Sequence, residues 1–202
     1  VNDPEYPKHK AAELAKKFDY DYWDGDRRIC YGGYKYIEGR WQKVAEKIND
    51  FYKLPENAKI LDIGCGKGYL LYDFLKVLPN AEVFGLDISK YALENSKSEI
   101  KSKLIQGNAT NLPFDDNYFD LVISINTLHC LEAPDLYLAL QEMERVGKSY
   151  KYLCVESYRN EIEKANLLYW QVSCEAFNTP EEWLWWFEKT GYMGDYSFIY
   201  FE

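Results

Sequence analysis

Residues 59–71 constrain this chain more than any other stretch. Ile60, Leu61 and Ile63 surround Asp62, then Gly64, Gly66 and Gly68 fall at alternate positions ahead of a helix-compatible run starting at Tyr69. An apolar strand, a glycine turn and a helix start bring backbone amides beside a bound ligand. The glycine spacing narrows which ligand. Dinucleotide domains set the third glycine one residue later, as GxGxxG, and want a small residue where Tyr69 stands. A phosphate loop needs Gly-Lys-Ser or Gly-Lys-Thr, which does not follow here.

The rest of the chain alternates strand and helix patterns. Residues 82–88 read as a second strand, with Ser89 capping the next helix. Residues 103–106 are a weak third strand and 118–125 a strong fourth, nearly all apolar as a central parallel strand should be. A helix over 135–146, a fifth strand over 150–156 and a sixth over 196–201 follow. Thr179, Pro180 and Glu182 open a helix that ends at Gly191. Ahead of the glycine turn, residues 10–18 predict a short helix. A longer one from about residue 40 to 52 has Trp41, Val44, Ile48 and Phe51 on its buried face. The alternation predicts an α/β fold: a doubly wound, mostly parallel sheet with helices on both faces.

Length and composition set further bounds. A chain of 202 residues with 47% hydrophobic content supports one buried core and one domain. A formal charge of -9, without a long Lys or Arg run, argues against nucleic acid or an anionic membrane as partner. No apolar stretch approaches the ~18 residues of a membrane span, and the N-terminus has no signal-like apolar region. Five cysteines without a CxxC pair read as free thiols in a reducing cytoplasm, with no metal site. Cys30, Cys130 and Cys174 could converge on a thiol-bound metalloid acceptor, but their spacing gives that no positive support. Trp183, Trp185, Trp186 and Phe187 share a helix pattern and read as core or dimer packing; a monomer or homodimer is expected.

Asp87, at the end of the second strand, is positioned to accept hydrogen bonds from ribose hydroxyls, with Ile88 packing on an adenine face. Asn108 and Ala109, past the third strand, either meet the adenine edge or form an ordinary turn. Asp62 either takes a ligand ammonium or organises the glycine-turn amides. Taken in order, Asp62-x-Gly64-x-Gly66-x-Gly68, then Gly85 to Ser89, then Gly107-Asn108-Ala109 with Leu112-Pro113-Phe114, and finally Phe119 to Val122 resemble class I S-adenosylmethionine-dependent methyltransferases. The resemblance is closest to their small-molecule, type 11-like branch and covers about residues 42–155. It implies S-adenosylmethionine as cofactor and S-adenosylhomocysteine as product. Gly64, Gly66 and Gly68 would line the methionine and ribose part, Asp87 the ribose, and Asn108 and Ala109 the adenine. Cys65 and Asn126 join this cofactor-binding set. The family often has Asp where Asn108 stands, but an amide also pairs with the adenine amino group. The implied fold is a Rossmann-like methyltransferase sheet of six or seven strands, the seventh antiparallel. Residues 1–202 form a single methyltransferase domain in this reading, with 1–52 as a helical and aromatic lid.

A sulfonium methyl is already activated, so the protein must align the acceptor, exclude water and, for an acceptor with a proton to lose, supply a base. His129, after the fourth strand, is the candidate catalytic base, against a purely packing role; His9 is read as structural or exposed. Tyr31, Tyr34 and Tyr36 with Arg28 and Arg40 form a candidate acceptor wall, and Gly32 and Gly33 would let it bend. The competing reading is a hydrophobic strap whose arginines pair with nearby Asp. Glu156 and Tyr158, after the fifth strand, are further acceptor candidates. The expected function is methyl transfer to a small polar metabolite. Alternatives are aminopropyl transfer on the same fold, or a non-catalytic S-adenosylmethionine-binding or interaction protein, which need not keep an open acceptor pocket.

Overall fold

The strands are β1 (Lys59–Ile63), β2 (Glu82–Asp87), β3 (Leu104–Gln106), β4 (Phe119–Ile125), β5 (Gly147–Glu156) and β6 (Asp195–Ile199). In this computed structural model, which describes residues 7–202, they form one sheet in the order β3-β2-β1-β4-β5-β6. Residues 1–6, which hold the start of the expected lid and of the N-terminal segment read as lacking a signal, lie outside the described residues. Every pairing is parallel, and among the described residues no antiparallel seventh strand enters the sheet. The order reverses between β1 and β4. Their carboxyl ends therefore diverge into two loops with a crevice between them, where open parallel sheets bind ligands.

Side chains alternate across the sheet, and each set buries against its own helices. Ile60, Leu121 and Ile123 pack on one face with α3 (Gln42–Tyr52) and α4 (Tyr69–Val77). Leu61, Ile63 and Val122 pack on the other with α6 (Ala133–Val146) and α8 (Pro180–Thr190), whose Trp183 is fully buried. Both faces of the sheet are therefore covered, as predicted. The buried stripe of α3 differs from expectation at one position. It runs through Ala45, Ile48 and Tyr52, with Trp41 and Val44 partly covered, while Phe51 is 71% exposed. From Ile48 the stripe continues at i+4 rather than i+3, which turns Phe51 toward solvent.

Three helices lie outside the predicted set or its bounds. The first helix, α1 (Lys8–Ala15), ends three residues before the expected position, and α2 (Tyr20–Trp23) follows it. The helix α7 (Glu161–Trp170) was not expected: its apolar residues Ile162, Leu168, Tyr169 and Trp170 are exposed and give no helical stripe to read. Its start is nonetheless well built, because Asn160 Oδ1 accepts from the amides of Ile162 and Glu163. The capping box at α8 forms as the sequence predicts: Thr179 Oγ1 accepts from Glu182 N and the Glu182 carboxylate accepts from Thr179 N.

Candidate active site

The glycine turn is left-handed at all three positions, with φ of 77° at Gly64, 55° at Gly66 and 69° at Gly68. L side chains rarely adopt this conformation, and the space is also taken. A Cβ on Gly64 would fall 2.1 Å from the Thr127 side chain, and one on Gly66 would fall 2.7 Å from Trp23 Cη2. The loops after β1 and β4 thus touch at Gly64, and the N-terminal segment comes down onto Gly66. Gly68 does different work. A Cβ there would strike Ile100 Cδ1 at 2.4 Å, and Gly68 is not among the residues lining the crevice; it starts α4.

The crevice is a cavity of about 1160 Å³. Asp62, Gly64, Cys65, Gly66, Asp87, Ile88, Asn108, Ala109 and Asn126 line it, so nine of the ten predicted cofactor residues converge there; Gly68 does not. Asp87 Oδ2 accepts from Gly66 N at 2.7 Å and Oδ1 from Ser89 N at 2.8 Å, which ties the end of β2 to the turn. Each carboxylate oxygen keeps a second lone pair for a hydroxyl. Burial raises the Asp87 carboxyl above its ordinary value, against the two amide bonds. Asp62 is fully buried next to it, and burial together with the Asp87 charge pushes its carboxyl up to about 8. Two buried acids with no ion-pair partner among the described residues suit a cationic ligand, and Ile88, 57% exposed into the same cavity, suits a flat apolar face. Asn108 Oδ1 accepts from Thr110 N at 3.0 Å, so the turn reading of this residue holds, without removing it from the cavity wall. The residues present therefore fit a ligand combining a cation, a ribose and an adenine.

Toward β4 and β5 the cavity changes character. His129, in a one-turn helix after β4, is 2% exposed, and its Nε2 lies 3.6 Å from Glu156 Oε2. Burial lowers the imidazole to about 4, which keeps it neutral at pH 7, and its Nδ1 has no hydrogen-bond partner. Glu156, the last residue of β5, is 4% exposed; burial raises it to about 7, opposed by Gln171, whose Nε2 donates to both carboxylate oxygens. The backbone carbonyl of Glu156 accepts from Trp183 Nε1 at 3.0 Å, which fixes the strand end against α8.

Of the predicted acceptor residues, Arg28, Tyr31, Tyr34, Arg40 and Glu156 line the cavity, whereas Tyr158 does not and Tyr36 turns away to donate its hydroxyl to Asp73 Oδ1 at 2.6 Å. Tyr158 is buried elsewhere, with the Lys164 ammonium 5.1 Å from its ring centroid. Arg28 pairs with the Asp26 carboxylate at 2.6 Å, as the strap reading had it. His9 is exposed on α1.

The N-terminal segment is held down by residues that the sequence reading did not single out. Asp24 accepts from Lys67 Nζ at 2.6 and 2.9 Å, from Tyr91 OH at 2.8 Å and from Tyr34 N at 2.9 Å. Lys67 Nζ also donates to Tyr34 O at 2.9 Å, and Trp23 Nε1 donates to Ser89 Oγ at 2.9 Å. Burial alone would raise the Asp24 carboxyl, but the bonds from Lys67, Tyr91 and Tyr34 outweigh it and hold it below the carboxylate range. The signal available in sequence was a lysine between two turn glycines. Gln171 carried none, because it lies in the aperiodic stretch after α7.

A parallel sheet with its cavity at the strand-order reversal, a left-handed glycine turn after β1 and an acid ending β2 define a Rossmann-like fold of the class I S-adenosylmethionine-dependent methyltransferase type. Residues 54–191 match the family described as Methyltransferase domain, and the chain belongs to that family. It is 36% identical over 113 residues to a demethylmenaquinone methyltransferase of Staphylococcus carnosus, covering 54% of this chain and 45% of the relative. It is also 36% identical over 110 residues to the human mitochondrial arginine-hydroxylase NDUFAF5, covering 53% of this chain and 31% of that protein. The chain spans about half the length of the demethylmenaquinone methyltransferases it matches. The YcgJ protein from Bacillus subtilis shares the fold, with a TM-score of 0.58, 22% identity, and coverage of 73% of this chain and 67% of its own.

Proposed function

We propose that this chain transfers a methyl group from S-adenosylmethionine to a small polar molecule enclosed beneath the described N-terminal residues ahead of α3, which act as a lid on a single methyltransferase domain. The observation that carries the reading is the continuity of one cavity from Asp87 and Ile88, past the glycine turn, to Tyr31, Arg40 and Glu156. A protein that only bound the cofactor would have no need of the second half. Gly64, Cys65 and Gly66 would hold the methionine and ribose part, Asp87 the ribose hydroxyls, Ile88 with Asn108 and Ala109 the adenine, and Asp62 the ammonium. When bound, the cofactor supplies a methyl already activated on a sulfonium. The chain's own work is to orient the acceptor and keep water out: Trp23 closes on Gly66, and the Asp24–Lys67 pair holds it there. Five free thiols favour a reducing compartment such as the cytoplasm.

A lipid-soluble ring acceptor is the second reading, favoured by the exposed rings of Tyr169 and Trp170 at the cavity. The test is turnover with methyl-labelled S-adenosylmethionine against aqueous and organic extracts, the label partitioning with the acceptor. Asp87→Ala is expected to weaken S-adenosylhomocysteine binding by ~150-fold or more, since two charge-assisted hydrogen bonds at ~1.5–3 kcal/mol each are lost. Unchanged affinity by calorimetry would reject the nucleotide assignment.

A further inference from the structure

We infer that Arg40 binds the carboxylate at the cofactor's methionine end, which ties the lid to the cofactor and selects S-adenosylmethionine over its decarboxylated form. The inference rests on the methyl-transfer reading and goes beyond it by giving a partner to the cofactor's single anionic group. It takes Arg40 out of the acceptor wall.

The ammonium and the carboxylate of an amino acid share one carbon, so a partner for the carboxylate must lie close to Asp62. An anion there needs a cation to answer it, because Asp62 and Asp87 are both buried acids at this end of the cavity. The turn amides are already spent. Those of Gly64 and Cys65 donate to Leu86 O, that of Gly66 to Asp87 Oδ2 and that of Gly68 to Cys65 O. The cation must come from a side chain. Among the lysines and arginines lining the cavity, Lys8 Nζ donates to Tyr169 O, Arg27 to Cys30 O, and Arg28 pairs with Asp26. Lys35 and Arg40 are left, and neither side chain forms a hydrogen bond or ion pair among the described residues.

The packing around Arg40 directs it to the methionine end. Arg40 lines the cavity from its exposed rim, and the next residue, Trp41, packs against the core cluster that contains Cys65 of the turn and Leu70 of α4. Tyr34 is the second anchor. Its ring stacks on Tyr69 at 5.4 Å, its amide donates to Asp24 and its carbonyl accepts from Lys67. The Tyr34 phenol lies in the fields of both Arg40 and Asp62: burial raises it, Trp41 and Arg40 lower it, and Asp62 raises it again. Arg40 and Asp62 therefore flank one hydroxyl, a cation and an acid on either side of the place for a zwitterion. A guanidinium fork meets a carboxylate with two parallel bonds, which a lysine ammonium cannot do. The decarboxylated cofactor keeps its ammonium and sulfonium but gains nothing from Arg40, which separates this site from one for aminopropyl transfer.

Calorimetry with S-adenosylmethionine, decarboxylated S-adenosylmethionine and 5′-methylthioadenosine tests this. Wild-type protein should bind the first ~10- to 100-fold tighter than the second, the range of a charge-assisted pair. Arg40→Met should lower the affinity for S-adenosylmethionine by the same factor. It should leave the other two ligands within about threefold of wild type, which also shows that the variant is folded. Arg40→Lys should recover part of the loss, since it keeps the charge without the fork. Equal wild-type affinity for the first two ligands overturns the carboxylate site. Equal losses for all three ligands in Arg40→Met overturn it as well, because they assign Arg40 to the packing of the lid. A selective loss of S-adenosylmethionine in Lys35→Met, absent from Arg40→Met, overturns it in favour of Lys35. Wild-type protein that binds none of the three ligands defeats the methyl-transfer reading itself.

Discussion

Substituting Asp24→Asn removes one charge and almost no volume, and it isolates what holds the lid. The Lys67 side chain is 5% exposed and that of Asp24 24%. Breaking a buried ion pair from one side costs about 3–5 kcal/mol, because the remaining charge is stranded. Here Asp24 reaches water and Lys67 keeps its bond to Tyr34 O, so the expected cost is ~2 kcal/mol. Lys67→Met should cost less, ~1 kcal/mol, since Asp24 retains Tyr34 N and Tyr91 OH. The double variant should resemble Lys67→Met rather than the sum, a coupling of ~1–2 kcal/mol. Few of the lid's contacts belong to the sheet core, so the loss should appear as local opening. Amide exchange over residues 20–34 should quicken by up to ~30-fold while the sheet keeps its protection, and S-adenosylhomocysteine should dissociate faster. Costs that simply add in the double variant, or exchange that quickens in the sheet and not in the lid, would refute the latch. The pH dependence has a definite sign. Asp24 is depressed below its ordinary 3.8, so its contribution is complete above that value and is lost as pH falls below it.

Asp62 carries the opposite sign: its folded value near 8 exceeds the ordinary 3.8, so the folded chain retains a proton that the unfolded chain releases, and stability falls as pH rises through that window. An ammonium beside it would restore the charge, so S-adenosylhomocysteine binding at pH 7 should release ~1 proton, seen as calorimetric heats that vary with buffer ionisation enthalpy; heats independent of buffer would remove Asp62 from the ammonium site. Gly66→Ala should weaken both lid protection and S-adenosylhomocysteine binding, because its Cβ meets Trp23, whereas Gly68→Ala should lower the thermal midpoint through Ile100 and leave binding within about threefold once folded. Equal effects of the two on binding would return Gly68 to the cofactor wall.

Local pattern determined the strands, the glycine turn, the acid ending β2 and the capping box of α8. Each depends on residues within a few positions of one another: apolar runs bury as strands, glycines take the left-handed turn, and Thr179 reaches Glu182. The cofactor half of the site was legible for that reason, because the turn after β1 and the end of β2 are built from contiguous motifs. Only tertiary structure decided the other half. Gln171 meets Glu156, Lys67 meets Asp24 and Trp23 meets Gly66 across 15 or more positions, and no local period encodes such pairings. The same separation explains Gly68 and Tyr158. Both sit in stretches whose local pattern points to the cavity, but which face each presents depends on what packs behind it, Ile100 for one and Lys164 for the other. Burial, which depends on the whole fold, sets the protonation of the groups in the cavity: it lowers His129, the base the sequence favours, and raises Glu156 toward neutrality.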